Sequence, residues 1–288
     1  MEKLMVKRES GTRRRPAVVV AFYLLSTLLV AVWLMPLVIA LFTSVKSMDE
    51  LMGNALMWAP PRKWIWQNFA DVWRRVGMSR YVLNTFIITV PSVLGTLLIS
   101  SLGAFALAFY QFRLNRTLLI VFIAGMLIPF QMLMIPVFRL SDIVGLRDSY
   151  LGVILFHVAF QLGFCTFFLR NFMKQIPYAL MEAPRMDGAS DFLIYRKVIL
   201  PLSISSMAAL GVLEFTWIWN DLLWALVLLQ RDVLKPVTLG LANMQGEFIT
   251  NYNMTAAGSI IAAAVPLLVF LVFQRFFISG LTVGAVKG

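Results

Sequence analysis

Cysteine and histidine are almost missing from this sequence: Cys165 and His157 are the sole examples of each. One cysteine excludes a disulfide framework and a thiolate metal cluster, and one histidine excludes the multi-histidine metal sites. Charge is scarce as well. Only 14% of residues are Asp, Glu, Lys or Arg while 60% are hydrophobic, and the mean hydropathy is +0.82. A soluble domain of 288 residues needs far more polar surface, so the bilayer is the natural solvent. No Gly-Lys dipeptide occurs anywhere. The chain therefore lacks the Gly-Lys-Ser/Thr turn of a phosphate-binding loop, and any ATP hydrolysis it depends on must be done by another subunit. The sequence also has no HExxH, no paired histidines and no convincing nucleophile–base set, which argues against an enzyme.

What is abundant is long apolar sequence. After the basic start "MEKLMVKRESGTRRRP" comes "AVVVAFYLLSTLLVAVWLMPLVIALFTSV", much longer than the apolar core of a cleaved signal peptide and so expected to be a retained spanning helix. At roughly 20 apolar residues per crossing, spans are expected near 17–44, 82–110, 117–138, 150–170, 203–229 and 257–278. The fold class is then an all-α membrane protein with six transmembrane helices and both termini on one side. Fifteen Lys and Arg fall on that side and ten on the other. The six N-terminal ones beside the first span weigh most, which makes the termini cytoplasmic. The net charge of +11 is accounted for by this orientation signal and does not call for nucleic acid. Pro129, Pro136 and Pro266 lie inside the spans. Each removes a helical hydrogen bond and favours a kink, tolerated in lipid where neighbours satisfy the freed carbonyl.

One stretch between two apolar runs stands apart. "EAPRMDGASDFLIYRKVILPL", Glu182 to Leu202, carries six charged side chains and a glycine, on the cytoplasmic side between spans 4 and 5. Its first part fits a short amphipathic helix in which Pro184 is awkward outside the first turn. Gly188 is suited to a positive φ and hence to a corner. Ser190 fits a helix N-cap with Asp191 in the first turn. Phe192, Tyr195, Val198 and Ile199 then make one apolar face, and Pro201 is expected to end this helix before the fifth span. A helix–corner–helix of this kind suits either a helix lying on anionic headgroups or a docking knob for a soluble partner.

The stretch resembles the EAA loop of bacterial ABC-importer permeases. Glu182 and Ala183 match its opening, Gly188 its glycine, Val198 its apolar position, and Leu200 with Pro201 its close. Asp187, Ala189 and Leu202 fit the sugar-importer version, whereas Pro184 and Ser205 depart from it. "WNDLLWAL", Trp219 to Leu226, is similar to a run in the penultimate helix of carbohydrate-importer permeases. "QRFFISGLTVGAVKG", Gln274 to Gly288, resembles the tail of maltose-type smaller permease subunits. The resemblance implies a six-span permease domain over 17–278 with its coupling loop at 171–201, flanked by cytoplasmic segments 1–16 and 279–288. It implies a bacterial or archaeal cell (inner) membrane, a second homologous permease, two ATPase subunits that carry ATP and Mg, and an extracytoplasmic solute-binding protein, with no cofactor on this chain. Coupling to the ATPase would involve Glu182, Ala183, Asp187, Gly188, Ala189, Leu200 and Pro201. The tail residues Gly280, Gly284, Lys287 and Gly288 would reach the ATPase interface, and the outer 45–81 and 230–256 segments would meet the binding protein.

Candidates for the translocation path are Glu214, Trp217, Asn220, Asp221 and Trp224. The spacings of Glu214, Trp217, Asp221 and Trp224 put them on one face of a continuous helix, an arrangement of acids and indoles that suits a sugar. The competing reading is that the two acids cap or brace neighbouring helices while Trp224 anchors at the interface. In the maltose-type family the substrate contacts can lie mainly on the partner permease. Acids within spans also keep an ion-coupled secondary transporter as the alternative. His157 and Gln161 share a face of the fourth span and fit an interhelical hydrogen bond.

Overall fold

A computed structural model describes residues 16–53, 56–244 and 251–285, and every regular element among them is helical. Among the described residues, five stretches are long and apolar enough to cross a bilayer: Val18–Ser44, Met78–Phe109, Tyr150–Met173, Asp191–Trp219 and Tyr252–Phe276. The corresponding helices are α1 (Pro16–Ser44), α4 (Met78–Phe109), α7 (Tyr150–Met173), α10 (Leu200–Trp219) and α13 (Tyr252–Ala285). Short helices α2 (Met48–Met52) and α3 (Gln67–Arg74) link the first two, and α5 (Asn115–Met126) and α6 (Met134–Ile143) fill the interval before α7. Between α7 and α10 lie α8 (Ala179–Met186) and α9 (Asp191–Ile194); α11 (Leu223–Leu228) and α12 (Val237–Asn243) precede α13.

The straight third span expected at 117–138 is replaced by two limbs. Residues Asn115–Met126 and Phe130–Ile143 meet at 94°, so a sixth crossing exists only if this bent pair counts as one. Pro129 explains the break. It has no N–H to give, and its ring pushes Ile128 out of the helical region. The last turn of α5 tightens accordingly, with Leu127 and Ile128 N–H bonding three residues back to Ala124 and Gly125. The crook holds an apolar cavity of about 560 Å³ between α5, α6 and α7.

The fifth span also differs from expectation at both ends. It does not stop short of Pro201: helix continues from Asp191 through Pro201 to Trp219. The reason is a π-helical turn over Tyr195–Ile199, whose wider ring lets Leu200 N–H reach the Tyr195 carbonyl. A proline one residue later is then accommodated in the first turn of α10, where its missing donor costs least. At the other end the helix stops at Trp219 rather than 229, breaks over residues 220–222, and resumes as α11.

α4 is the central post, packed against α7 and α10, while α1 sits at the edge against α13. The α4–α7 contact is close because α4 offers small side chains: a Cβ at Gly95 would come within 3.0 Å of Val158, and Ser92, Thr96 and Ser100 are fully buried. Small residues let two backbones approach where lipid supplies no hydrophobic drive between helices. At its Met78 end α4 ties down a cap. Arg80 pairs with Asp232 at 2.9 Å, Asn84 donates to the Val233 and Lys235 carbonyls, and Thr85 accepts the Val237 N–H. Asp148, at φ 53, joins the same cap by accepting from the Gln230 N–H and the Arg231 side chain. Burial opposes its charge, but those N–H donors and the guanidinium hold its carboxyl below the usual range.

α13 carries Pro266 and yet runs unbroken. The carbonyl freed four residues earlier, at Ala262, accepts a 3.0 Å bond from the Trp219 indole N–H. Trp219 is 1% exposed and packed on Phe86 and Phe215 at ring-centre distances of 4.9 and 5.4 Å. Replacing it with Phe keeps most of the packing and strands the carbonyl. Trp219→Phe should therefore lose about 1–2 kcal/mol of stability. Denaturant unfolding in detergent checks this, with Trp219→Tyr as a size control that cannot restore the same bond.

Candidate functional site

At the opposite end of α4 from the cap, α8 and α9 form a bent hook. α8 ends in a Schellman motif: Ala189 N–H bonds to the Pro184 carbonyl at 2.9 Å and Gly188 N–H to Arg185 at 3.0 Å. Gly188 stands at φ +80 with nothing within 4 Å of the position a Cβ would take. Backbone handedness, not crowding, is what selects glycine here. Ser190 then caps α9, its hydroxyl accepting from Leu193 N–H. The sequence expectations for Gly188 and Ser190 match this geometry. Pro184 does not fall in the first turn but at the sixth position of α8, on a half-exposed stretch where water can satisfy the carbonyl it frees.

A residue the sequence analysis left out of the site holds the corner. The Arg185 guanidinium bonds to Asp191 Oδ1 at 3.0 Å through Nη2, to the Tyr178 hydroxyl at 2.9 Å and to the Tyr110 hydroxyl at 2.9 Å. It also lies over the Tyr110 ring at 5.3 Å. One planar fork thus ties both limbs of the hook to each other and to the end of α4. The Asp191 carboxylate is the main cause that raises the Arg185 guanidinium above its usual value, so it stays charged throughout. Tyr178 stands seven residues before it, a helical spacing, but Asp191 lies across the Gly188 corner and Tyr110 is far away in sequence, so periodicity alone could not reveal the cluster.

The underside of the hook is buried. Met181, Ile194, Tyr195 and Ile199 are at most 5% exposed and share a core with Phe105 and Leu169 of α4 and α7. Each such side chain contributes about 1.5–3 kcal/mol by leaving water. The Tyr195 hydroxyl meets Ser101 Oγ of α4 at 2.7 Å in a buried hydrogen bond. The expected apolar face is corrected at one position: the π-turn brings Ile194 inward and leaves Phe192 64% exposed. Phe192, Met186 and Glu182 consequently stand on the outer surface with Ala183 and Asp187. Glu182 makes no ion pair among the described residues. Ala189 lies at the corner, and Leu200 and Pro201 lie at the start of α10. Of the tail residues, Gly280 and Gly284 belong to the helical backbone of α13, while Lys287 and Gly288 lie outside the described residues.

The expected stripe along the fifth span does not form, because the break over residues 220–222 ends the common face. Glu214 is fully buried with Cys165 Sγ donating to it at 3.2 Å. Trp217 is 47% exposed. Asp221 caps α11, accepting from Trp224 N–H at 3.3 Å and Ala225 N–H at 3.1 Å. Trp224 is buried against Phe156, with ring centres 3.7 Å apart, and so is not an interface anchor. Asn220 is exposed and donates to the Thr216 carbonyl. His157 Nε2 makes no hydrogen bond among the described residues; the Asp221 carboxylate is 3.7 Å away.

Residues 98–281, which span the hook and both breaks, match the family described as binding-protein-dependent transport system inner membrane component. The chain belongs to this family. Among curated relatives, the alpha-glucoside transport system permease protein AglG of Rhizobium meliloti is 39% identical over 80% of this chain and 62% of its own length. The osmoprotective compounds uptake permease protein GgtD of Synechocystis is 35% identical over 89% of this chain and 88% of its own. The arabinooligosaccharides transport system permease protein AraQ of Halalkalibacterium halodurans is 33% identical over 88% and 91%. The solved bacterial ABC transporter involved in alginate import has a chain of the same fold, with TM-score 0.81 and 22% identity over 91% of this chain and 96% of that one. Membership of this permease family sets aside the ion-coupled secondary transporter.

The bonds of Arg185 are expected to keep the hook rigid. Arg185→Ala should speed amide exchange at Gly188, Ala189 and Leu193 by about tenfold or more, the equivalent of about 1.4 kcal/mol for a partly exposed but multiply bonded guanidinium. Exchange mass spectrometry in detergent micelles reads this directly; unchanged rates would show that backbone bonds alone hold the corner.

Proposed function

We propose that this chain is one transmembrane subunit of an ATP-driven importer of a sugar or sugar derivative in a bacterial or archaeal cell membrane. The observation that carries it is the stiff hook: a charged, apolar-tipped corner built on a buried underside and continuous with a spanning helix. Lys and Arg bias supports a cytoplasmic side for the termini and the hook. There the hook docks on one of two ATPase subunits, which carry the ATP and Mg for which this sequence has no phosphate-binding loop. Glu182, Ala183, Asp187, Gly188 and Ala189 face that subunit, and Gly280, Gly284, Lys287 and Gly288 approach the ATPase pair. Leu200 and Pro201 open the helix that receives the motion. When the ATPases close, the displaced hook moves α10 directly and α4 through Tyr110 and Ser101, so the spans rock as packed units. A second, homologous permease completes the path. An extracytoplasmic binding protein delivers solute to the opposite end, over the 45–81 and 230–256 segments. The sugar class draws support from relatives named for alpha-glucoside and arabinooligosaccharide transport.

The test separates the corner's handedness from its surface. A side chain at φ +80 costs about 1–2 kcal/mol for most residues, and less for Asn. Gly188→Asn should retain most uptake, whereas Gly188→Trp should lower transport per ATP hydrolysed by about tenfold or more, with normal membrane insertion and subunit assembly. Wild-type uptake by Gly188→Trp would contradict the coupling role. Ligand screening with the binding protein that assembles with this chain identifies the solute.

A further inference from the structure

Two interruptions of spanning helices lie side by side in this chain. The first is the bend over residues 127–129, and the second is the gap over residues 220–222. Phe130, just past the first, has its ring 6.4 Å from that of Trp224, just past the second. α5 is 12 residues long, a rise of about 18 Å, so its bend falls inside a hydrocarbon layer of about 30 Å. Non-helical backbone at that depth is tolerated only where it is buried in protein or lines a water-filled space. It is not buried here: Leu127 is 78% exposed and Ile128 is 46% exposed.

Aromatic rings continue from this junction along α7. Phe160 lies 6.5 Å from Phe130, Phe164 lies 5.4 Å from Trp217 of α10, and Phe168 lies 6.3 Å from Phe164. Phe160, Phe168 and Trp217 are 37%, 38% and 47% exposed. The strip is not purely apolar. Asn220, in the second interruption, is exposed with its amide donating to the Thr216 carbonyl, Gln131, just past the first, is exposed as well, and the Gln131 and Trp217 side chains make no hydrogen bond among the described residues. An exposed amide without a partner, such as that of Gln131, does not suit a lipid-facing surface at membrane depth.

We infer that this aromatic strip, with Trp217 and Asn220 at its centre, is the chain's own wall of the translocation path and holds saccharides directly. Indole and phenyl faces pack on the C–H surface of a sugar ring, while the amides bond to its hydroxyls. Interrupted helices opening onto a solute site are a recurrent way to present polar groups within a bilayer. The saccharide class rests on the importer reading above; the water-lined wall does not. Substrate contact is thereby shared with the second permease rather than left to it. Glu214 and Trp224, being buried, support this wall from behind, and Asp221 fixes the break by capping α11.

The experiment uses the complete transporter in lipid bilayers. Trp217→Cys and Asn220→Cys are treated with a membrane-impermeant charged thiol reagent, with Leu29→Cys on α1 as the lipid-facing control; Cys165 is fully buried, so the native chain is the blank. Positions 217 and 220 should label at least about tenfold faster than position 29, and millimolar maltotriose or arabinotriose should slow them about threefold or more. Labelling only by a lipid-soluble maleimide would make the strip a lipid face, and labelling by neither reagent would make it a contact with the second permease. Either result overturns the wall. Fast labelling that neither sugar slows would overturn saccharide contact alone. None of these outcomes bears on the hook, whose failure appears as lost coupling at Gly188.

Discussion

A single guanidinium bonds at once to two limbs of a turn and to the end of a neighbouring helix, and the proposed lever depends on it. Arg185 reaches Asp191, Tyr178 and Tyr110, and beneath it Tyr195 bonds to Ser101. Motion applied at an exposed turn is ordinarily absorbed by the turn. Here the corner is pinned from above by a charged fork and from below by side chains withdrawn from water, so in the proposed mechanism a displacement would pass into α10 and α4.

The way the hook joins its span follows from the same constraint. A proline at the junction of a short helix and a long one would normally let the two swing independently. The π-turn at Tyr195–Ile199 removes that freedom by carrying helical hydrogen bonding across the junction, with Pro201 seated in the first turn that follows. A similar economy appears in α13, where the bond lost at Pro266 is replaced by Trp219 of α10. Three prolines at or within spans thus show two outcomes. Pro201 and Pro266 are neutralised by their surroundings and leave the helix continuous. Pro129 is not, and there the chain bends by nearly a right angle.

That division marks what the sequence could reveal. Composition and run length locate four of the five continuous spans closely, because burial in lipid demands apolar residues over a fixed length. Gly188 and Ser190 are legible since each serves a local backbone geometry. The third and fifth spans were misjudged because apolarity continues through breaks that backbone chemistry imposes: Leu127 and Leu222 are as apolar as any helical neighbour. The stripe of Glu214, Trp217, Asp221 and Trp224 failed for the same reason, since a helical face has no meaning across a gap. Arg185 was overlooked because its partners come from three separate elements, and only tertiary packing brings Tyr110 to it. The family motif likewise points to the loop but not to the clamp that stiffens it.

The most direct measurement is the distance between spin labels at Asp187, on the hook, and Leu222, beyond the far end of α10, in the assembled transporter through its ATP cycle. A rigid lever requires that distance to stay constant between the nucleotide-free and ATP-trapped states, while the distance from Asp187 to the second permease changes. A shift in the first distance, with the spans themselves unmoved, would show the hook bending on its own and would contradict the account.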